Sequence, residues 1–216
     1  MREKVQIGHK VDLDRADKFS VLKQALSQPD FHRAYLSSAR RLFSDFESKD
    51  SVRSEDALPI FFLQRHALEL LIKDCLRIVY QLMFVQHELD AQRELPSGGA
   101  RKRICEHDIL KLYKDFKIGL CFDDDASSAV IRRLEALVST IHDIDEKSTW
   151  ARYPDVDKET CVTGYIRPQE LDLEFYQQEI EALSVLLWGS DFDFYDAMMW
   201  KYHEAWNVCM GELNDV

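Results

Sequence analysis

The sequence lacks most of what would mark a secreted, membrane-bound or metal-stapled protein. Its five cysteines, at positions 75, 105, 121, 161 and 209, are scattered and odd in number. None forms a CxxC pair, so neither a zinc knuckle nor a disulfide framework is indicated. Cys75 falls in an apolar stretch and reads as a small core residue. No uncharged run of 18 or more residues exists, so no membrane span is expected. The opening segment MREKVQIGHKVDLDR has no signal-peptide apolar core. A reducing cytoplasm is the expected setting. Positive charge is also short: Lys plus Arg is 28 against 39 Asp plus Glu, a formal charge of -11. Phosphate repels such a chain at long range, which excludes a general nucleic-acid coat. Contact with RNA or a nucleotide needs a local basic patch, and Arg101, Lys102 and Arg103 are the clearest one. There is no internal repeat and no low-complexity run.

What the chain has is apolar residues at helical spacing. Hydrophobic residues make up 46% and aromatics 11% of 216 residues, enough for one substantial core. Residues 1–28 read as an N-terminal arm and 29–216 as a single domain. Pro29 is expected to start a helix to about Ser48, with Tyr35, Leu36, Leu42, Phe43 and Phe46 turned inward. A long helix follows over about 56–90. Pro96, Ser97, Gly98 and Gly99 break it. A short helix begins near His107 and another spans about 124–146, with Val130, Ile131, Leu134, Leu137, Val138 and Ile141 as its apolar stripe. WARYP and TCVTGYI flank an acidic turn, so a small extended or hairpin insertion is expected at about 147–167. Pro168 suits the first turn of a helix to about Trp188. Asp191 caps a last helix, about 192–210. The fold class is all-α, with the insertion placed before the last two helices.

The long helix is apolar around most of its circumference, the pattern of a central element. One stripe is polar: His66, Glu69, Lys73 and Arg77, spaced to share a face. Charges there must pair or face a cleft. Either they form an internal network, with Glu69 and Lys73 in the favourable order, or they line a cleft for a phosphate or nucleotide. His107 and Asp108 admit two readings as well. An acid in the first turn complements the helix dipole, or His107 transfers protons beside Arg101 and Arg103. Arg152 and Tyr153 either clamp the insertion on the bundle or place a guanidinium over the stripe as a phosphate ligand. Trp188, Phe192, Tyr195, Met199, Trp200, Tyr202 and Trp206 exceed what one face of a short helix needs. They either pack on the bundle or form a dimer or partner surface. His203 has no neighbouring acid–His spacing, so no metal site is read there. No cofactor is indicated.

Two stretches together resemble a family. RHALELLIKDCLR followed by HDILKLYKDF resembles the second and third helices of HEPN domains, where the pattern is His-Ala-φ-Glu-φ-φ-φ-Lys, a loop, then a second His-Asp/Ser-Leu. DEKSTWARYP looks like the extended Arg-Tyr-Pro element of larger HEPN-like proteins. The resemblance covers about residues 30–190. It implies an all-α bundle that dimerises, in a prokaryotic defence, toxin–antitoxin or stress system. It implies either a metal-independent endoribonuclease or a silent module that binds a partner protein, nucleotide or RNA. Active members carry Arg-x(4–6)-His near the end of a late helix. Here His142 precedes Arg152, the reverse order, and the strings that match formally are Arg101–His107 and Arg2–His9. For RNA cleavage, His107 is the first choice for acid/base chemistry and Arg152 for phosphate charge.

Overall fold

The computed structural model describes residues 31–48, 54–89, 104–119, 125–145 and 171–188, with 200, 204 and 207. The chain divides into two units, Met1–Asp30 and Phe31–Val216. All the described residues belong to the second. They form five helices: α1 Phe31–Glu47, α2 Ser54–Leu89, α3 Ile109–Gly119, α4 Asp125–Ile144 and α5 Leu173–Trp188. No strand occurs among the described residues, so this part of the fold is all-α. The expected insertion at about 147–167 lies outside them. No helix among them is long and apolar enough to cross a membrane.

α2 is the axis of the bundle. It packs against α1, α3 and α5, while α1 rests on α5, α3 on α4, and α4 on α5. Its apolarity accounts for this position. Ile60, Phe61, Ala67, Leu68, Leu71, Ile72, Cys75, Leu76 and Val79 are all buried, on several sides of the helix. Each fully buried Leu or Phe of this set contributes about 1.5–3 kcal/mol relative to exposure. Burial pushes the Cys75 thiol up, so it sits in the core as a small unreactive side chain.

The other helices bury apolar stripes of their own in the bundle. α4 buries Leu134, Leu137, Val138 and Ile141. α1 buries His32, Leu36 and Ala39, with Phe43 and Phe46 half-buried on the same face. Leu42, expected inside, is exposed, because spacings of four and three from His32 pass it by. α5 begins at Leu173 rather than at Pro168. Asp172 caps it: its carboxylate accepts from the Phe175 amide at 2.9 Å, the usual side-chain solution for an orphan first-turn donor.

Polar pins cross the apolar interfaces. Gln64 donates to the Leu173 carbonyl at 2.8 Å, and Gln177 donates to the Leu36 carbonyl at 3.2 Å. His32 touches Asp74 through Nδ1 at 3.3 Å and Ser184 Oγ through Nε2 at 2.9 Å. The order Ser–His–Asp resembles that of an acyl-transfer triad. All three groups are buried, however, and Ser184 lies in α5 between Leu183 and Val185. The set ties α1, α2 and α5 together. At the surface, Arg133 forks onto Glu179 with bonds of 2.6 and 2.7 Å, joining α4 to α5.

Candidate functional site

The site is built around one carboxylate, Glu69, fully buried on α2. Its Oε1 accepts from Lys73 Nζ at 2.7 Å and meets His107 Nδ1 at 2.9 Å. Its Oε2 accepts from Arg65 Nη1 at 2.9 Å and faces His66 Nδ1 at 3.9 Å. Burial alone would raise the Glu69 pKa. The neighbouring His66 and Lys73, the Lys73 charge and the His107 contact outweigh it, holding the carboxyl well below its ordinary value. Glu69 is therefore an anion at neutral pH.

Helical spacing on α2 supplies half of this arrangement. Arg65, Glu69 and Lys73 are four apart, so both cations reach the same carboxylate from one face. The rest comes from distant chain. Arg65 is fully buried and also donates from Nε to the Asp145 carbonyl at 3.1 Å and from Nη2 to the His107 carbonyl at 2.8 Å. Those carbonyls belong to the residue following α4 and to the segment entering α3. Asp108 caps α3, accepting from the Leu110 and Lys111 amides at 3.0 and 3.1 Å. It faces His142, in the last turn of α4, at 3.5 Å. The start of α3 is thus fixed from two sides, and His107 with it.

An ionised carboxylate only accepts hydrogen bonds, so His107 Nδ1 carries the proton in their contact. Nε2 is then the free ring nitrogen. The His107 side chain is 66% exposed, while that of Glu69 is fully buried. A solvent-facing imidazole oriented by a buried carboxylate is the arrangement of a general acid or base with its orienting partner.

The structure brings together His66, Glu69, Lys73, His107 and Asp108 from among the sequence candidates. Arg77 stands apart from them. It pairs with Asp74 at 2.6 Å, on the side of the His32 pin, and its side chain is 41% exposed. Arg101, Lys102, Arg103, Arg152 and Tyr153 lie outside the described residues, so the two readings of Arg152 do as well. Of the aromatic C-terminal candidates, Trp188 ends α5 and Trp200 is helical and exposed. Sequence reasoning missed Arg65 and Asp145. The signal for Arg65 was its spacing of four from Glu69; nothing in the pattern marked Asp145.

Among the described residues no group of three or more His, Cys, Asp or Glu side chains is arranged to hold a metal ion. Comparison with protein-family models, with curated proteins and with solved structures gives no match.

Proposed function

We propose that the chain is an HEPN-like helical module that cleaves RNA without a metal cofactor, with His107 as its proton-transfer group. The observation that carries this reading is the exposed His107 imidazole held by Nδ1 on the buried, ionised Glu69. With the proton on Nδ1, Nε2 offers its lone pair to a 2′-hydroxyl, and imidazole is the side chain best suited to that step near neutral pH. Arg101, Lys102 and Arg103, just upstream in sequence, supply the local positive charge that an acidic chain needs to meet RNA. Arg152 is the proposed ligand for the charge that builds on the phosphate. The setting that accompanies the resemblance is a defence, toxin–antitoxin or stress system.

A second reading is favoured by one specific feature. The two buried cations of the site, Arg65 and Lys73, both bond Glu69, and Arg65 spends further donors on backbone carbonyls. Neither is aimed at solvent as a phosphate ligand. On this reading the chain is a silent HEPN-like module that binds RNA, and the buried network serves to fix the helices.

Purified protein incubated with total RNA in EDTA separates the two. Cleavage is expected, and His107→Ala is expected to lower it by about a hundredfold or more. The fold should survive, because the side chain is mostly exposed. Equal cleavage by the variant would remove His107 from the chemistry. RNA binding without cleavage by the wild type would leave the silent module.

A further inference from the structure

We infer that His66 is the second proton-transfer group of the site, the general acid that complements His107 as general base. The inference rests on the RNA-cleaving reading and extends it to a pair of imidazoles held by one carboxylate. His66 and His107 turn Nδ1 toward different oxygens of Glu69, at 3.9 Å from Oε2 and 2.9 Å from Oε1. Each ring therefore directs Nε2 away from the carboxylate. His66 comes from α2 and His107 from the segment leading into α3, so the rings flank Glu69 from two elements.

The two rings are held differently. His107 donates from Nδ1 to Glu69, which leaves Nε2 as its outward nitrogen, the atom a base presents. At 3.9 Å His66 is beyond hydrogen-bond range and makes a longer contact with the same carboxylate through Nδ1. Packing supplies its orientation. The Tyr35 ring meets it edge-on at 4.5 Å, with planes 78° apart, and the Phe62 ring lies parallel at 5.9 Å. The His66 side chain is still 23% exposed, whereas His32, a structural histidine, is sealed in the core.

Cleavage of an RNA phosphodiester by internal attack needs both groups. His107 Nε2 takes the 2′-hydroxyl proton as the 2′-oxygen forms its bond to phosphorus. The bond from phosphorus to the 5′-oxygen breaks, and His66 gives that oxygen its proton. The products are a 2′,3′-cyclic phosphate and a 5′-hydroxyl, and no other reactant is consumed. Of the charged and titratable groups, Glu69 on α2 contacts both rings and Tyr35 on α1 packs on His66. Arg65 and Lys73 surround Glu69. Glu106, Asp108 and Lys111 lie at the start of α3, and His142 and Asp145 at the end of α4.

The test uses two short RNAs, one with an ordinary linkage and one with sulfur in place of the bridging 5′-oxygen. A thiolate leaves without being protonated, so only the second substrate dispenses with the acid. On the ordinary linkage His66→Ala should lose about a hundredfold in rate, together with the alkaline limb of the pH profile. On the sulfur linkage it should cleave close to the wild-type rate, which also shows that the variant is folded. His107→Ala should stay impaired on both. If His66→Ala is poorly folded by circular dichroism, His66→Gln takes its place with the same expectations. Undiminished cleavage of the ordinary linkage by a folded His66 variant, or impairment on both linkages, overturns the assignment while leaving the RNA-cleaving reading in place. Cleavage of neither substrate by the wild type removes that reading and the pair with it.

Discussion

At the scale of the residue, Glu69 governs stability and, in the proposed reaction, the setting of the imidazoles. Two cations and two imidazoles converge on it, so its removal leaves charge without an answer in the core. Glu69→Gln should cost about 3–5 kcal/mol, the usual loss when one partner of a buried pair is taken away. Urea unfolding at pH 7 measures this, and a loss under about 1 kcal/mol would show that Arg65 and Lys73 find other partners. The pH dependence follows from the direction of the Glu69 shift. Its folded pKa lies well below the ordinary 4.5, so the unfolded chain takes up this proton first as pH falls. The contribution is complete above about pH 5 and is lost progressively below it as pH falls toward the folded value. The Glu69→Gln variant should accordingly show a flatter stability profile between pH 5 and 3 than the wild type.

At the scale of the element, α2 carries a sharper test. Leu70 and Leu71 are neighbours, but Leu71 is fully buried and Leu70 only partly so. Leu71→Asp should abolish soluble expression, since an unpaired buried charge costs several kcal/mol. Leu70→Asp should be the milder change, and equal solubility of the two variants would contradict the orientation of this helix. The helices themselves were legible. Apolar spacing marked α2, α3 and α4 within a few residues of their bounds, because burial of a stripe leaves a periodic trace. Leu42 and the start of α5 were misjudged, because several apolar residues compete for one face and because Pro168 is as compatible with a preceding turn as with a helix. The site was legible only on α2. An Arg in a helix ordinarily lies at the surface, and what buries Arg65 is a pair of backbone carbonyls, at His107 and Asp145, that any residue type would offer. His32 was hidden for a related reason: its partners Asp74 and Ser184 are far away in sequence and carry no shared motif.

At the scale of the whole molecule, charge and assembly decide the predictions. If the proposed function holds, RNA must approach a chain of charge -11 through a local patch, so its binding should weaken steeply as salt rises. Fluorescence anisotropy with a labelled single-stranded RNA measures the slope, and salt-independent binding would rule out phosphate contacts as its source. A homodimer is expected from the HEPN resemblance and the aromatic C-terminal segment, burying at least about 1,000 Å². Light scattering at micromolar concentration should give twice the 25.3 kDa chain mass, and a monomer would count against it. The Arg65 guanidinium bears on how the bundle assembles. Its donors are satisfied by three stretches of chain, at Glu69, His107 and Asp145, separated from it by 4, 42 and 80 positions. A partly assembled bundle with α3 or the end of α4 undocked would keep a cation in an apolar setting with donors unmet. Such half-formed states are raised in energy relative to both the native bundle and the open chain. Arg65 thus makes the docking of three helices a single event, and the bundle should unfold in one cooperative step rather than shed its helices in turn.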